Sequence, residues 1–329
     1  MAFAAPLILA PSSAAQSLTD FEPAGFADGE SVHNHAPDGT NPAPPISFGN
    51  NCVQAWFVPT AGTDEQVADL TGSDPAHQNV WRFSQGAQDG SLGQSPHSAN
   101  SGLVSGESGA LSDSGCGAPT TGDYYAQFDF RSSLSVAQPN LRISAAANSG
   151  DTRHAFVRIL DDGAGLDLTF FETTDGCQFQ AANIDANLPH GEWHTLGIEI
   201  FFVDGLAAGS PGVAGAVGND VVNIYLDGYR VHTGTSWESC VGARSVDRIL
   251  FESPEIIPSQ LVGGGLYFDN VLVSDLCPEG FCLEPPSFGS VGECISTRFD
   301  QFCVGLTGRD RAECNHEQQD YCFELFGVK

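Results

Sequence analysis

The chain has 329 residues with 38 glycines, 19 prolines, one methionine and 41% hydrophobic positions, a mix that suits many short strands joined by turns and excludes a coiled coil or long-helix protein. Against 12 Lys and Arg, 41 Asp and Glu leave a formal charge of −29, so the surface repels phosphate backbones and anionic lipids, and nucleic acid and acidic membranes are excluded as partners. Lys329 is the only lysine, which fits a saline or extracellular setting and equally a GC-rich coding sequence.

Residues 1–19 open on an apolar stretch, Met1 to Ala10, followed by small residues through Ala15. This is similar to the end of a secretory signal, or forms an N-terminal extension. No Lys or Arg precedes the apolar run, which leaves room for a start farther upstream. The run is too short to cross a bilayer, and no later segment approaches about 18 apolar residues. No membrane span is therefore expected. Ten cysteines follow: Cys52, Cys116, Cys177, Cys240, Cys277, Cys282, Cys294, Cys303, Cys314 and Cys322. Their number is even, and neither paired Cys-x-x-Cys elements nor finger-type Cys/His spacing is present, so disulfides are expected in place of zinc thiolates. That chemistry points to an oxidising compartment, with the protein secreted, extracellular or at the cell surface.

From Asp20 to Leu276 apolar residues fall on alternate positions, separated by Gly, Ser, Asn and Asp. Tyr124, Ala126, Phe128 and Phe130 face one way, and Tyr125, Gln127 and Asp129 the other. Leu166, Leu168 and Phe170 repeat the pattern, as do Leu196, Ile198, Ile200 and Phe202. Val222, Ile224 and Leu226 lead into Asp227-Gly228, the dipeptide of a tight hairpin, and then Tyr229 to His232. Antiparallel pairing into two facing layers follows. The Gly/Ala-rich segment from Asp204 to Asp220 is longer than a hairpin uses and reads as a mobile or functional loop. No repeat of 20 to 50 residues is visible, which argues against propellers and solenoids.

After Leu276 the composition changes. Residues 277–293 read as a linker with a small loop closed by Cys277 and Cys282. Residues 294–329 read as a Cys-rich helical hairpin, with Cys294 to Val304 and Arg309 to Phe326 around a turn at Gly305 to Gly308. Bridges 303–314 and 294–322 would suit that hairpin, although four cysteines allow three pairings. A piece this small needs covalent staples.

Three stretches, Gly191 to Ile200 with its Trp193-His194, Asp220 to Val231 with Tyr225-Leu226-Asp227-Gly228, and Tyr267 to Asp275, resemble the concanavalin A-like lectin/glucanase superfamily in its laminin-G-like form. Asp20-Phe21-Glu22 is similar to the opening strand of such domains. The resemblance covers residues 20–276 and implies an all-β, antiparallel jelly-roll β-sandwich, to which the stapled α-helical hairpin is appended. It implies a core position at a strand start for Trp193. It also implies a structural Ca²⁺ between the opening and closing strands, on Asp20, Glu22 and Asp269, whose carboxylates suit a hard cation. The superfamily holds lectins, adhesion modules, hydrolases, lyases and structural proteins, so the fold alone does not choose among them.

Residue chemistry narrows the choice. Paired carboxylates in the superfamily's Glu-x-Asp-x-Glu or Glu-x-Asp-x-x-Glu arrangement are absent, and Glu172, Glu238 and Glu252 are single acids on different segments. Lyase chemistry wants a Tyr or His base with an Arg or Asn facing a uronate; Arg158, His154, His232 and Tyr229 offer the types without a motif, and −29 opposes an anionic substrate. Sugar binding wants an aromatic ring flanked by polar groups, which Trp237-Glu238 and Trp81 provide. For Trp81 core filling competes, because Val80 to Phe83 alternates. His33 and His35 sit in a Pro/Gly/Asn-rich loop and read as solvated. The expected function is non-catalytic carbohydrate binding or adhesion at the cell surface, with glycans as partners. The alternatives are a structural subunit of a filament, surface layer or virion, with copies of itself as partners, and a polysaccharide-degrading enzyme.

Overall fold

The computed structural model describes residues 16–19, 21, 26, 28, 55–57, 64–84, 97–107, 123–133, 138–146, 153–174, 178–202, 219–241, 244–252, 265–278 and 281–283. They form two sheets. Sheet A runs in the order β13 (Tyr229–Thr235), β12 (Val221–Leu226), β11 (His194–Phe201), β6 (Asp123–Ser132), β15 (Leu266–Ser274), β4 (Asn79–Ser84) and β3 (Asp64–Asp69), and β1 (Gln16–Thr19) also pairs with β15. Sheet B runs β10 (Gln178–Leu188), β9 (Leu166–Thr174), β8 (Arg153–Asp161), β7 (Gln138–Ala146), β14 (Ser245–Glu252), β5 (His97–Gly106) and β2 (Ala55–Phe57). All pairings between these strands are antiparallel. Among the described residues the one helix is a single turn, α1 (Glu238–Val241).

Alternation accounts for the core. On sheet A, Tyr124, Ala126, Phe128 and Phe130 of β6 and Leu196, Ile198 and Ile200 of β11 are buried. On sheet B, Leu141, Ile143 and Ala145 of β7, Ala155, Val157 and Ile159 of β8, and Leu166, Leu168 and Phe170 of β9 are equally buried. All belong to one apolar cluster between the sheets, as in any two-layer sandwich. The Asp227-Gly228 turn forms as expected. Both residues lie in the left-handed region, with φ of 50° and 85°, which matches the twist of the two strands it joins.

The Cys277–Cys282 disulfide closes a short strap. Both sulfur residues pack against Tyr125, Tyr225 and Leu272 on the outer face of sheet A. Beyond the strap, the Leu283 N–H donates to Gly228 O at 2.9 Å, and the Arg230 N–H donates to Leu283 O at 2.8 Å. Cys240 is also disulfide-bonded. The other seven cysteines lie outside the described residues, as do His33, His35 and the expected helical hairpin at 294–329. The chain divides into two compact units, Met1–Leu283 and Glu284–Lys329.

Phe251 is the residue of sheet B that meets three aromatic rings of sheet A, those of Trp81, Phe128 and Phe268, at 5.0, 5.4 and 5.1 Å between centroids. Phe251→Ala is expected to lower unfolding free energy by about 3–5 kcal/mol in a urea titration. A loss below about 1 kcal/mol would mean that the two sheets do not rely on this contact.

Candidate functional site

Strand parity decides which side chains leave the core of sheet A. Phe130, Phe268, Trp81 and Phe83 point inward, so Arg131, Tyr267 and Arg82 face outward. Register sets them side by side, Arg131 opposite Tyr267 and Tyr267 opposite Arg82, across β6, β15 and β4. Because His194 pairs with Phe130, Trp193 just before β11 extends the same row. All four are partly exposed.

Arg131 holds this row together. Its guanidinium carbon lies 4.9 Å from the Trp193 ring centre and 5.5 Å from that of Tyr267, both within cation–π range. Asp74 fixes it further: Trp193 Nε1 donates to Asp74 Oδ2 at 2.6 Å, and Arg131 Nη1 donates to the same oxygen at 3.2 Å. Asp74 arrives on the β3–β4 turn, which is built by hydrogen bonds from Ser73 N–H and Asp74 N–H to Leu70 O and from Thr71 N–H to Asp69 Oδ1, each 2.8 Å. Burial pushes the Asp74 carboxyl up. The Trp193 hydrogen bond, the charge of His77, the Ala76 amide and the charge of Arg131 outweigh it and hold the group below its ordinary value.

His77 comes from the same turn and stacks on Trp193, ring centroids 4.0 Å apart. Its Nδ1 is 2.8 Å from Asp269 Oδ2. Asp269 lies on β15 at a bulge, where Asn270 adopts φ 49° and donates its N–H to Asp269 Oδ1 at 2.8 Å. Burial raises the Asp269 pKa to about 7; the hydrogen bonds from His77 and Asn270 and the charge of His77 oppose the rise, and the Asp129 charge adds to it. When Asp269 is ionised it accepts from Nδ1–H and leaves His77 Nε2 as an acceptor, the tautomer a general base needs. Below this row, Asp129 accepts from Thr195 Oγ1 at 2.5 Å and Asn270 Nδ2 at 2.7 Å. Farther along, Glu199 accepts from Tyr225 OH at 2.5 Å and Asn223 Nδ2 at 3.1 Å. The outer face of sheet A is thus a polar surface with one aromatic and cationic row.

The sequence pointed elsewhere. Trp81 has no exposed surface and packs in the core against Phe83, Phe251 and Phe268, so no ring face is offered to a sugar. Trp237 is 7% exposed, donates Nε1–H to Phe171 O at 2.8 Å and packs against Phe156 and Phe179. It fills space beside sheet B. Glu238 belongs to an ion-pair network: carboxylate oxygens of Glu107, Asp220 and Glu238 lie within 4.8 Å of one another. Arg244 pairs with Glu107 and approaches Glu238 at 3.9 Å, and His154 Nε2 is 2.5 Å from Asp220. Those carboxylates suit a hard cation, but Arg244 and His154 already face them. Of the expected calcium ligands, Asp20 and Glu22 lie outside the described residues, and Asp269 is engaged by His77 and Asn270.

The remaining candidates occupy separate places. Arg158 projects from sheet B over Phe171, and Glu252 pairs with Arg153 and, at 4.0 Å, with Arg142. Glu172 and His232 flank Gly234, where an added Cβ would lie 2.6 Å from Glu172 Oε2 and 2.9 Å from His232 Nε2. Burial raises the pKa of Glu172 against the opposing Thr235 amide and lowers that of His232, which favours a neutral pair. Of the loop from Asp204, only Asn219 and Asp220 are described, and both are fully buried. Trp193, expected in the core, stands on the outer face. The signal was available: with Leu196, Ile198 and Ile200 inside, odd positions of β11 face out.

These features define an antiparallel two-sheet sandwich with a polar face. No protein-family model matches the chain, and no curated protein matches it in sequence. Among solved structures it is similar to an endo-β-1,4-glucuronan lyase from the fungus Trichoderma reesei, at 14% identity over 64% of this chain and 87% of that one, with a TM-score of 0.37. An alginate lyase mutant in complex with an alginate tetrasaccharide gives 11% identity, 81% and 99% coverage, and a TM-score of 0.43. The receptor-binding domain of botulinum neurotoxin D gives 9%, 69% and 46%, and 0.39, so the chain spans less than half of that domain. At such scores none assigns a family or an activity.

Asp269 supplies a pH test. Its folded pKa of about 7 lies above the ordinary 3.8, so the folded state keeps a proton that the unfolded chain has released. Its stabilising contribution is complete below the unfolded value and is lost as pH rises through that interval. The melting temperature of the wild type minus that of Asp269→Asn should therefore fall from pH 4 to pH 7 and then level off. A difference independent of pH would contradict the buried, proton-holding carboxyl.

Proposed function

We propose that the chain is a secreted jelly-roll sandwich of the concanavalin A-like type that binds carbohydrate without cleaving it, and that the outer face of sheet A is its binding surface. The row Trp193–Arg131–Tyr267–Arg82 carries this reading. Sugars are held by aromatic rings against their C–H faces and by fixed polar groups on their hydroxyls. Arg131, braced by Asp74 and two rings, and His77, braced by Asp269, are polar groups of that kind. The disulfides at Cys240 and Cys277–Cys282 support an oxidising compartment.

The test is affinity electrophoresis and a glycan array. Tyr267→Ala should weaken binding about tenfold or more, the loss of one well-placed contact, and Trp193→Ala should weaken it by releasing Arg131 and His77, which pack on that ring. Trp237→Ala should change stability and leave affinity intact. Equal affinity of wild type and both row variants would reject this surface.

One observation favours a second reading, polysaccharide cleavage: the His77–Asp269 pair stands beside Arg131, joined to it through Trp193. A guanidinium can neutralise a uronate carboxylate while an imidazole takes the neighbouring proton. Unsaturated products from a polyuronate, formed faster above pH 7 and abolished by His77→Ala, would establish it. Binding with no product release at any pH would leave recognition alone.

A further inference from the structure

We propose that the outer face of sheet B carries a second binding site, one for a small, doubly charged tetrahedral oxyanion held by the guanidinium groups of Arg142 and Arg158. The inference is independent of the glycan-binding reading, whose row lies on the other sheet.

Parity and register build the site. Leu141 and Ile143 of β7, Val157 and Ile159 of β8, and Leu168 and Phe170 of β9 belong to the core, so Arg142, Arg158 and Thr169 face outward. Arg142 lies directly opposite Arg158, and Arg158 directly opposite Thr169. Glu252 of β14 and Asn183 of β10 extend this row at its two ends. Neighbouring strands are about 4.8 Å apart, and like charges set directly opposite across them are destabilising unless a counter-charge joins them.

Both guanidinium groups are held in place. The Arg142 guanidinium carbon lies 5.7 Å from the Phe156 ring centre and that of Arg158 5.2 Å from the Phe171 ring centre, within cation–π range. The two rings stack on each other with centroids 4.5 Å apart. Because Phe156 is itself paired with Phe171, both arginines lean the same way along the strands, each onto a ring one strand over, and share one aromatic floor.

Charge selects the ligand. Glu252 pairs with Arg153 and stands 4.0 Å from Arg142, so three arginines share this carboxylate. Asp167, the next outward position on β9, accepts from the Asn187 N–H at 3.0 Å. Among the described residues no carboxylate pairs with Arg158: its Nη2 donates to Thr169 Oγ1 at 3.5 Å, and its buried Nε has no partner. Two positive charges are left over, which one phosphate or sulfate dianion balances, and guanidinium forks match such oxygens. The Arg142 side chain is 37% exposed, which leaves the site open to a ligand. A long polyanion would be repelled by the −29 of the chain, whereas a free ion or a single ester group meets only the local cations.

The experiment is isothermal titration calorimetry of the wild type in chloride buffer at about pH 8, where phosphate groups are doubly charged. The probes, at matched ionic strength, are sulfate, inorganic phosphate, glucose 6-phosphate and acetate. The dianions should bind about tenfold or more tighter than acetate, and Arg142→Gln and Arg158→Gln should each lower phosphate affinity about tenfold. Arg230→Gln, an equal loss of charge on β13, should leave it unchanged. The wild-type series does not depend on how the variants fold. Tighter binding of glucose 6-phosphate than of phosphate would support the site with an ester as its ligand, and the reverse order would support it with the free ion. Acetate binding as tightly as phosphate would overturn the doubly charged ligand. Binding of none of the four, or equal phosphate affinity in the wild type and Arg158→Gln, would overturn the site and leave the glycan reading untouched.

Discussion

Phe251 of β14 reaches across the sandwich and touches Trp81 of β4, Phe128 of β6 and Phe268 of β15, all edge-on and all fully buried. Aromatic pairs in this geometry contribute about 0.5–1.5 kcal/mol each beyond the area they bury. The consequence for function is geometric. With Trp81, Phe130 and Phe268 committed to the core, their neighbours Arg82, Arg131 and Tyr267 have one place to go, the outer face, and the antiparallel register leaves them abreast. The row is a by-product of how the core is packed.

Three carboxylates on that face each brace two neighbours. Asp74 serves both Trp193 and Arg131, Asp129 serves Thr195 and Asn270, and Glu199 serves Tyr225 and Asn223. Such cross-braced groups lose little rotamer freedom on meeting a ligand, which lowers the entropic cost of binding. The Cys277–Cys282 strap packs at Tyr125, Tyr225 and Leu272, several residues along the strands from Arg131. The face therefore has a capped region and a region with partly exposed rings.

Much of the sandwich was legible in the chain. Tyr124 to Phe130, Leu166 to Phe170 and Leu196 to Ile200 alternate as written, and Asp227-Gly228 turns where a left-handed pair was expected. Two-residue periodicity is a local property, so sequence carries it. The site was read less well. Trp237 and Trp81 were chosen for their polar neighbours in sequence, but neighbours along a strand point to opposite faces, and both rings are buried. Parity would have placed Trp193, Arg131 and Tyr267 outside. Nothing local could bring His77 to Asp269, 192 positions away, since that contact depends on β3, β4 and β15 sharing a sheet and on a bulge at Asn270.

The most direct test is hydroxyl-radical footprinting of the purified protein with and without a bound oligosaccharide, read residue by residue. Trp193 and Tyr267 should be protected on binding, while Phe179, exposed on β10 of sheet B, should react unchanged. Protection confined to Phe179 and Trp237, with Trp193 and Tyr267 as reactive as in the free protein, would contradict the assignment of the outer face of sheet A as the place where this chain meets its ligand.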